Sequence, residues 1–197
     1  MPPDPGSGPA EPFGVLFVCT GNICRSPTAE ALARRELARH PGVPLEVSSA
    51  GSHALEGNPA ASRSMLAAAT RGANLERHFA RELTRRRVRA ADLILCMAAE
   101  HRPFVLSYDR AAASKTFLLA SFARVASQWD WLATSPAELV ALAAEHGREQ
   151  EGDDIDDPLG HPAEAYAACA ERLDGLVVPV IAALVKSMPV GAGGGPA

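Results

Sequence analysis

One stretch, VLFVCTGNICRSPTAE at residues 15–30, constrains the fold more than any other part of the chain. It opens with four apolar residues, which predict a short strand buried in a parallel sheet. Further along the stretch, Ser26 and Pro27 predict an N-cap and a first-turn proline for the helix that follows. The pattern therefore indicates a strand, a tight loop and a helix, which together form one unit of an α/β protein.

The loop of this unit, Cys19 to Arg25, has the composition of an oxyanion-binding loop. Its backbone N–H groups can turn inward around a tetrahedral anion, and the helix adds partial positive charge. We expect Gly21 to take a positive φ angle there. We expect Cys19 as a thiolate, since helix N-termini and guanidinium groups favour that form. Arg25 is placed to bind two oxygens of the anion bidentately.

A second cysteine and arginine with the same spacing, Cys96 and Arg102, provide a comparison within the chain. No glycine lies between them, and Cys96 falls inside an apolar run instead of after it. Arg102 precedes a proline and not a Ser-Pro helix start. We therefore predict that Cys96 is a core residue and that the chemistry belongs to Cys19.

The motif CTGNICRSPTAE resembles the active-site signature of the bacterial low-molecular-weight protein tyrosine phosphatases. The resemblance implies hydrolysis of protein phosphotyrosine through a cysteinyl-phosphate, with Cys19 as the nucleophile and Arg25 as the ligand of the phosphoryl oxygens. It implies a metal-independent enzyme that needs no cofactor. The other loop residues are expected to bind the substrate: Thr20, Gly21, Asn22, Ile23, Cys24 and Ser26.

An Asp-Pro pair, Asp157-Pro158, ends the segment GDDIDDPLGHP. Proline biases the preceding residue toward an extended backbone, which suits a side chain presented over a cleft. The pair resembles the general-acid loop of the family, so Asp157 is the expected proton donor. A calcium loop is the competing interpretation, but the D-D-x-D-D spacing lacks the alternating ligands and final glutamate of an EF-hand. We assign no metal ligands.

The resemblance also gives supporting roles behind the loop. Ser49, at the end of the second predicted strand, is expected to hydrogen-bond to the loop, with a serine bonded to its own turn as the alternative. His78, in HFARELT, is expected to support the same region, with a surface histidine as the alternative. Animal members carry aromatic cleft walls where this chain has Leu55 and Leu159, so specificity based on those walls does not transfer.

Apolar runs alternate with helical patterns along the chain, which predicts a three-layer α/β fold. We expect a four-stranded parallel sheet of flavodoxin-like order 2-1-3-4 with helices on both faces and the site at the first strand. The phosphatase domain is placed at residues 13–186, with a helical extension at about 121–151 and disordered tails at 1–12 and 187–197. In the extension, we expect Trp129 or Trp131 to pack on the core and the other to replace a cleft wall.

Composition limits the possible partners. A net charge of −4 gives no basic excess, so neither nucleic acid nor an anionic membrane is expected as a partner. The longest apolar run is far shorter than a membrane span and contains Pro179. Four irregularly spaced cysteines are typical of a reducing compartment. We expect a cytoplasmic monomer whose partner is a phosphotyrosine-containing protein.

Three other functions remain as alternatives. Phosphoarginine phosphatases resemble the chain but carry threonine where Ile23 stands; Ile23 favours an aryl phosphate, whereas Leu159 weakens that argument. Arsenate reductases of this fold need a further redox cysteine pair after His78, and no cysteine lies between Cys24 and Cys96. A phospho-ligand binding module without turnover would not need a nucleophile and a general acid together.

Cys24 carries a separate prediction. It is either a spacer in the loop or a redox partner that captures an oxidised Cys19 as a reversible disulfide. The second role would make the enzyme redox-sensitive.

Overall fold

Four parallel strands lie at the centre of the protein in the order β2-β1-β3-β4, as the computed structural model of residues 11–188 shows. They are β1 (Phe13–Cys19), β2 (Leu45–Gly51), β3 (Leu93–Cys96) and β4 (Thr116–Leu118). The predicted flavodoxin-like order is therefore confirmed. Of the two predicted tails, residues 1–10 and 189–197 lie outside the described residues.

Seven α-helices of the described residues surround the sheet. In chain order they are α1 (Arg25–Leu37), α2 (Ser62–Ala69), α3 (Arg85–Ala90), α4 (Arg102–Tyr108), α5 (Leu119–Trp129), α6 (Pro136–His146) and α7 (Ala163–Ser187). Short 3-10 helices cover Ala99–His101 and Arg110–Lys115. Within residues 11–188, none of these helices is both long enough and apolar enough to cross a bilayer.

Strand β1 is buried on both faces, which explains why it is a continuous apolar run. Val15 and Phe17 face one hydrophobic cluster, to which α1, α5 and α7 contribute. Leu16 and Val18 face a second cluster on the other side, to which α3 and α4 contribute. Helices thus cover both faces of the sheet, and the end of β1 at Cys19 lies at the reversal point between β2 and β3.

The predicted extension forms α5 and α6. Ser135 caps α6, because its side chain accepts from the backbone N–H of Glu138 at 3.2 Å. Trp129 packs against the core and stacks on His146, with ring centroids 4.9 Å apart. One tryptophan therefore has the packing role expected for it.

The other tryptophan does not line the cleft, so the predicted replacement of a cleft wall is wrong. Trp131 is 70% exposed. Its neighbour Asp130 pairs with Lys186 at 3.0 Å, in the last turn of α7. Helix α7 begins six residues after Asp157 and, at 25 residues, is about 37 Å long. The direction of α5 and α7 thus carries Trp131 to the end of the molecule opposite Asp157.

Candidate active site

The loop after β1 is shaped by Asn22 and not by Gly21. Asn22 has a φ of 53°, whereas Gly21 is outside the left-handed region, so the expectation for Gly21 is wrong. Asparagine adopts this conformation more readily than most residues because its short polar side chain can hydrogen-bond locally. A left-handed residue in such a loop turns consecutive N–H groups toward one point.

The backbone amides of the loop are available as donors. From Gly21 to Cys24, none donates to a backbone carbonyl of residues 11–188. Helix α1 begins directly after them at Arg25, with no acidic residue in its first turn. The loop therefore offers unpaired N–H groups and the positive end of a helix dipole to an anion.

A glycine in β2 permits the tight approach of this loop to its neighbour. Gly51 pairs with Cys19 across the sheet. A side-chain carbon on Gly51 would lie 2.5 Å from the carbonyl oxygen of Thr20. Every residue other than glycine carries such a carbon and would clash with that oxygen. The loop is thus held close to the end of β2.

Ser26 contacts the cysteine and does not cap the helix. Helix α1 starts two residues earlier than predicted, with Cys24 at the N-cap position and no capping side chain, so the predicted N-cap is wrong. The Ser26 hydroxyl accepts from the Asn22 amide at 2.8 Å and lies 3.0 Å from Sγ of Cys19. The hydroxyl accepts from Asn22, so its one hydrogen goes either to the Ala50 carbonyl oxygen at 3.4 Å or to the nearer Cys19 Sγ, where it would stabilise a thiolate.

Asn22 is itself fixed by a buried network. Its amide donates to Ser49 at 2.8 Å, and its side-chain oxygen accepts from the backbone N–H of Arg81 at 2.8 Å. Ser49 then donates to Glu30 at 2.6 Å, and Arg81 pairs with the same carboxylate oxygen at 2.7 Å. The structure thus places Ser49 behind the loop and not on its own turn.

Glu30 is a member of this network that the sequence reasoning missed. It is only 7% exposed and accepts from Arg34 at 2.8 Å as well as from Ser49. Its position on the inner face of α1, among alanines, was the available signal, because a charge on a buried face requires partners.

His78 supports the loop through its backbone. Its Nε2 atom donates to the carbonyl oxygen of Asn22 at 2.7 Å. Burial lowers the pKa of His78, which favours the neutral imidazole. The structure therefore places His78 at the loop, where the resemblance expects it.

Replacing Asn22 with alanine should lower stability by about 3–5 kcal/mol, because three hydrogen bonds are lost and buried partners are left unpaired. Asn22→Gly loses the same bonds but tolerates the positive φ angle, so it should lose about 1 kcal/mol less. Urea unfolding of both variants measures the two effects. Equal stability of Asn22→Ala and wild type would show that the loop keeps its shape without this side chain.

Arg25 connects the loop to the aspartate segment. Its side chain is 4% exposed. Nη1 donates to the carbonyl oxygen of Ile155 at 3.1 Å, and Nη2 donates to Asp157 Oδ2 at 2.5 Å. The Asp157 side chain, 41% exposed, thus stands at the open side of the loop while the guanidinium is buried beneath it.

The four aspartates of the segment lie in different surroundings, and Asp157 alone pairs with Arg25. Asp153 forms a two-bond ion pair with Arg124 of α5. Asp154 accepts from the backbone N–H of Ala99 at 2.8 Å. Asp156 is exposed. The carboxylates therefore do not converge, and within the described residues no group of three or more metal-binding side chains occurs.

Ile155 anchors the segment between its aspartates. Its side chain is 1% exposed, and its N–H donates to the carbonyl oxygen of Met97 at 2.8 Å. With the Ile155 carbonyl bound to Arg25, the backbone just before Asp157 is tied to both the sheet and the loop.

His101 is a second residue that the sequence reasoning missed. It is 1% exposed, and its Nε2 atom lies 3.0 Å from Oγ1 of Thr20. Burial and the charge of Arg25 lower the pKa of His101. The signal was its place just after β3, because the carboxyl ends of parallel strands meet at the binding edge of the sheet.

Of the remaining cysteines, Cys24 and Cys96 are buried and Cys169 is partly buried. Burial raises the pKa of Cys24 to about 11 and the pKa values of Cys96 and Cys169 to about 12. Cys96 is fully buried in the cluster on the α3 and α4 side, as predicted for a core residue. Cys24 and Ile23 pack with Tyr166 of α7, so only Cys19 combines a thiol with the anion-binding loop.

Apolar side chains surround the loop. Leu55 and Leu159 are 48% and 50% exposed, and their N–H groups donate to Gly21 and Asp157 respectively. His53, whose N–H donates to the Thr20 carbonyl, meets the ring of Phe104 edge to face at 4.7 Å. The rim thus contains aromatic surface at His53 and Phe104 instead of at the two leucines.

Known proteins resemble this chain along most of its length. A family profile described as "Low molecular weight phosphotyrosine protein phosphatase" matches residues 14–143. The low molecular weight protein-tyrosine-phosphatase Etp of Escherichia coli (strain K12) is 44% identical over 108 residues, covering 55% of this chain and 70% of that protein. A protein-arginine-phosphatase of Geobacillus stearothermophilus is 31% identical over 166 residues, covering 84% and 92%.

A solved structure shows the same fold. A low molecular weight protein tyrosine phosphatase from T. tengcongensis superposes with a TM-score of 0.68 at 33% identity, covering 86% of this chain and 98% of that one.

Proposed function

This chain belongs to the family of low molecular weight phosphotyrosine protein phosphatases, and on that basis we propose that it hydrolyses protein phosphotyrosine through a cysteinyl-phosphate. One observation carries the proposal: Arg25 and Asp157 pair directly at the loop that begins with the Cys19 thiol. A nucleophile, an anion cradle and a proton donor then lie within one site.

In the first step, Cys19 attacks phosphorus and the bond to the tyrosine oxygen breaks. Asp157 gives its proton to that leaving oxygen, and the product is a free tyrosine and a phosphorylated Cys19. Arg25 and the loop amides stabilise the charge on the remaining phosphoryl oxygens. Ser26 stabilises the thiolate, since its hydroxyl lies 3.0 Å from Cys19 Sγ.

In the second step, water attacks the phosphorus of the cysteinyl-phosphate. Asp157, now deprotonated, takes a proton from that water, and the phosphorus–sulfur bond breaks. Inorganic phosphate leaves and Cys19 returns as the thiolate. The same carboxyl group thus serves as acid and then as base.

The substrate's aromatic ring would rest on the rim. Ile23 and Leu55 border Gly21: a side-chain carbon at Gly21 would lie 3.6 Å from Ile23 and 4.0 Å from Leu55. Together with Phe104, they offer an apolar surface to a planar ring.

Phosphoarginine is the second candidate substrate. The protein-arginine-phosphatase matched above covers more of this chain than Etp does, at lower identity. A guanidinium leaving group carries charge and gains less from an apolar rim than a phenol does. This difference in charge, together with the apolar Ile23 side chain in the loop, favours phosphotyrosine.

A paired set of phosphopeptides tests this choice. Peptides that differ only in phosphotyrosine or phosphoarginine should give a kcat/KM at least about tenfold higher for phosphotyrosine, a difference of about 1.4 kcal/mol. Phosphate release measures both rates, and a phosphoserine peptide serves as the control for non-specific hydrolysis. A higher kcat/KM for phosphoarginine would show that phosphoarginine is the substrate, and the two-step mechanism at Cys19 would still apply.

The cytoplasmic location, the monomeric state and the redox role of Cys24 stay predictions. All four cysteines are free.

A further inference from the structure

The Thr20 hydroxyl occupies a position between two donors. Its Oγ1 atom lies 3.0 Å from Nε2 of His101 and 3.3 Å from Nη2 of Arg25. Thr20 follows Cys19 directly and is half-buried. The side chain therefore stands at the same end of the guanidinium that Asp157 contacts.

The hydrogen bonds of Nδ1, the second ring nitrogen of His101, determine which of the two nitrogens carries the hydrogen. The N–H of Ala98 donates to Nδ1 at 3.0 Å. Nδ1 also lies 3.1 Å from the Ala98 carbonyl oxygen, but that oxygen already accepts from the backbone N–H of His101 at 3.1 Å, whereas the Ala98 N–H has Nδ1 as its partner. If Nδ1 carried the hydrogen, the buried backbone N–H of Ala98 would lose its acceptor and stay unpaired, which is rare in proteins. Nδ1 is thus the acceptor, and Nε2 carries the hydrogen and donates to Thr20.

A hydroxyl that accepts from two N–H groups has only its own hydrogen left to use. Within residues 11–188, Oγ1 of Thr20 has no partner besides His101 and Arg25. A phosphoryl oxygen bound to Nη2 of Arg25 would lie beside Oγ1. The one unused hydrogen of Thr20 is therefore available to an oxygen of the reacting group.

We propose that Thr20 is a further catalytic residue, whose hydroxyl donates a hydrogen bond to the transferring phosphoryl group, and that His101 is its positioning residue. The inference rests on the proposed function and adds a side-chain donor to the backbone amides of the loop. In the transition state the charge of the transferring group is spread over three equatorial oxygens that lie in one plane. A donor fixed beside one of them fits that geometry better than the tetrahedral ground state, so it acts mainly on kcat.

Thr20→Val tests the donor, since valine keeps the shape and removes the hydroxyl. We expect kcat on a phosphotyrosine peptide to fall at least about tenfold with little change in KM. Thr20→Ser should recover most of that loss. Thr70→Val, at the residue that follows α2, is the matched control and should keep the wild-type kcat, because within residues 11–188 its hydroxyl bonds only to the carbonyl of Ala67. A kcat of Thr20→Val within about twofold of wild type would overturn the proposal.

A double-mutant cycle separates positioning from a structural role of His101. If His101 acts through Thr20, His101→Phe should lower kcat in the wild-type background and change it little in the Thr20→Val background. His101→Gln, which keeps an N–H near the Nε2 position, should retain more activity than His101→Phe. Equal losses in both backgrounds would mean that His101 only packs the core, and thermal unfolding of each variant identifies any that are misfolded.

Inhibition by two inorganic anions makes the test independent of the substrate. Vanadate adopts the five-coordinate geometry of the transition state, whereas phosphate has the tetrahedral geometry of the ground state. Thr20→Val should weaken vanadate inhibition of p-nitrophenyl phosphate hydrolysis by about the factor lost in kcat and phosphate inhibition by less than about threefold. Wild-type enzyme that is inactive on phosphotyrosine would contradict the proposed substrate alone. If Thr20→Val weakened inhibition by vanadate and by phosphate equally, the proposed role of Thr20 would be contradicted and the proposed substrate would not.

Discussion

Replacing Cys19 with serine is expected to abolish turnover while leaving oxyanion binding intact. The alcohol is a poor nucleophile at neutral pH, whereas the cradle is built from backbone amides and Arg25, which the change does not touch. The loss in kcat should exceed about a hundredfold. Steady-state hydrolysis of a phosphotyrosine peptide measures it, and calorimetric titration with phosphate measures the retained binding.

Cys96→Ala is the matched control for that prediction. Cys96 has the same spacing to an arginine, but it is fully buried in β3, and burial raises the pKa of its thiol to about 12. The variant should lose about 1–2 kcal/mol of stability and keep its kcat. A folded but inactive Cys96→Ala enzyme would show that the wrong loop has been chosen.

Replacing Asp157 with asparagine should slow phosphotyrosine hydrolysis by about 10²–10⁴-fold. The size of the loss should depend on the leaving group. The phenol of tyrosine has a pKa of about 10 and needs the proton, whereas p-nitrophenol is a much stronger acid and needs it less. The ratio of the two losses, measured as kcat on a phosphotyrosine peptide and on p-nitrophenyl phosphate, therefore reports proton donation directly.

Asp156→Asn is the control for this second prediction. Asp156 is the adjacent carboxylate and is exposed, whereas Asp157 is bound to Arg25. The substitution removes the same charge from the same segment and should change either rate little. A large loss of rate from Asp156→Asn alone would identify Asp156 as the proton donor. Small and equal losses of rate from both variants would mean that neither aspartate is the proton donor.

The strands and the reactive residues could be predicted because their signals are local. Four apolar residues before Cys19 specify a strand buried on both faces, and a helix start that follows specifies the turn between them. Spacing alone did not suffice, since Cys96 and Arg102 share it. Two further features distinguished the active pair from the second one. A glycine lies between Cys19 and Arg25 but not between Cys96 and Arg102, and Cys96 lies inside an apolar run instead of after it.

The shape of the loop could not be predicted, because distant residues decide it. Asn22 takes the positive φ angle, and its side chain is held by Ser49 and Arg81, 27 and 59 residues away along the chain. Thr20 and His101 are 81 residues apart. Such contacts depend on the sheet order, which brings the ends of β1, β2 and β3 together, and no local pattern contains them.

Trp131 shows the same limit at the level of a helix. Its spacing from Trp129 was visible in the sequence, but its exposure and the direction of α5 were not. Only the pairing of Asp130 with Lys186 in the last turn of α7 shows that this tryptophan lies far from Asp157.

The phosphorylated enzyme itself provides the most direct test. Acid quenching during turnover of a phosphotyrosine peptide, followed by digestion and fragmentation mass spectrometry, locates any covalent phosphoryl group. Residues 1–25 contain both Cys19 and Cys24, so fragmentation between the two is needed. The account predicts one phosphoryl group on Cys19 in the wild type and none in Cys19→Ser. A phosphoryl group on any other residue, or turnover by Cys19→Ser, would contradict it.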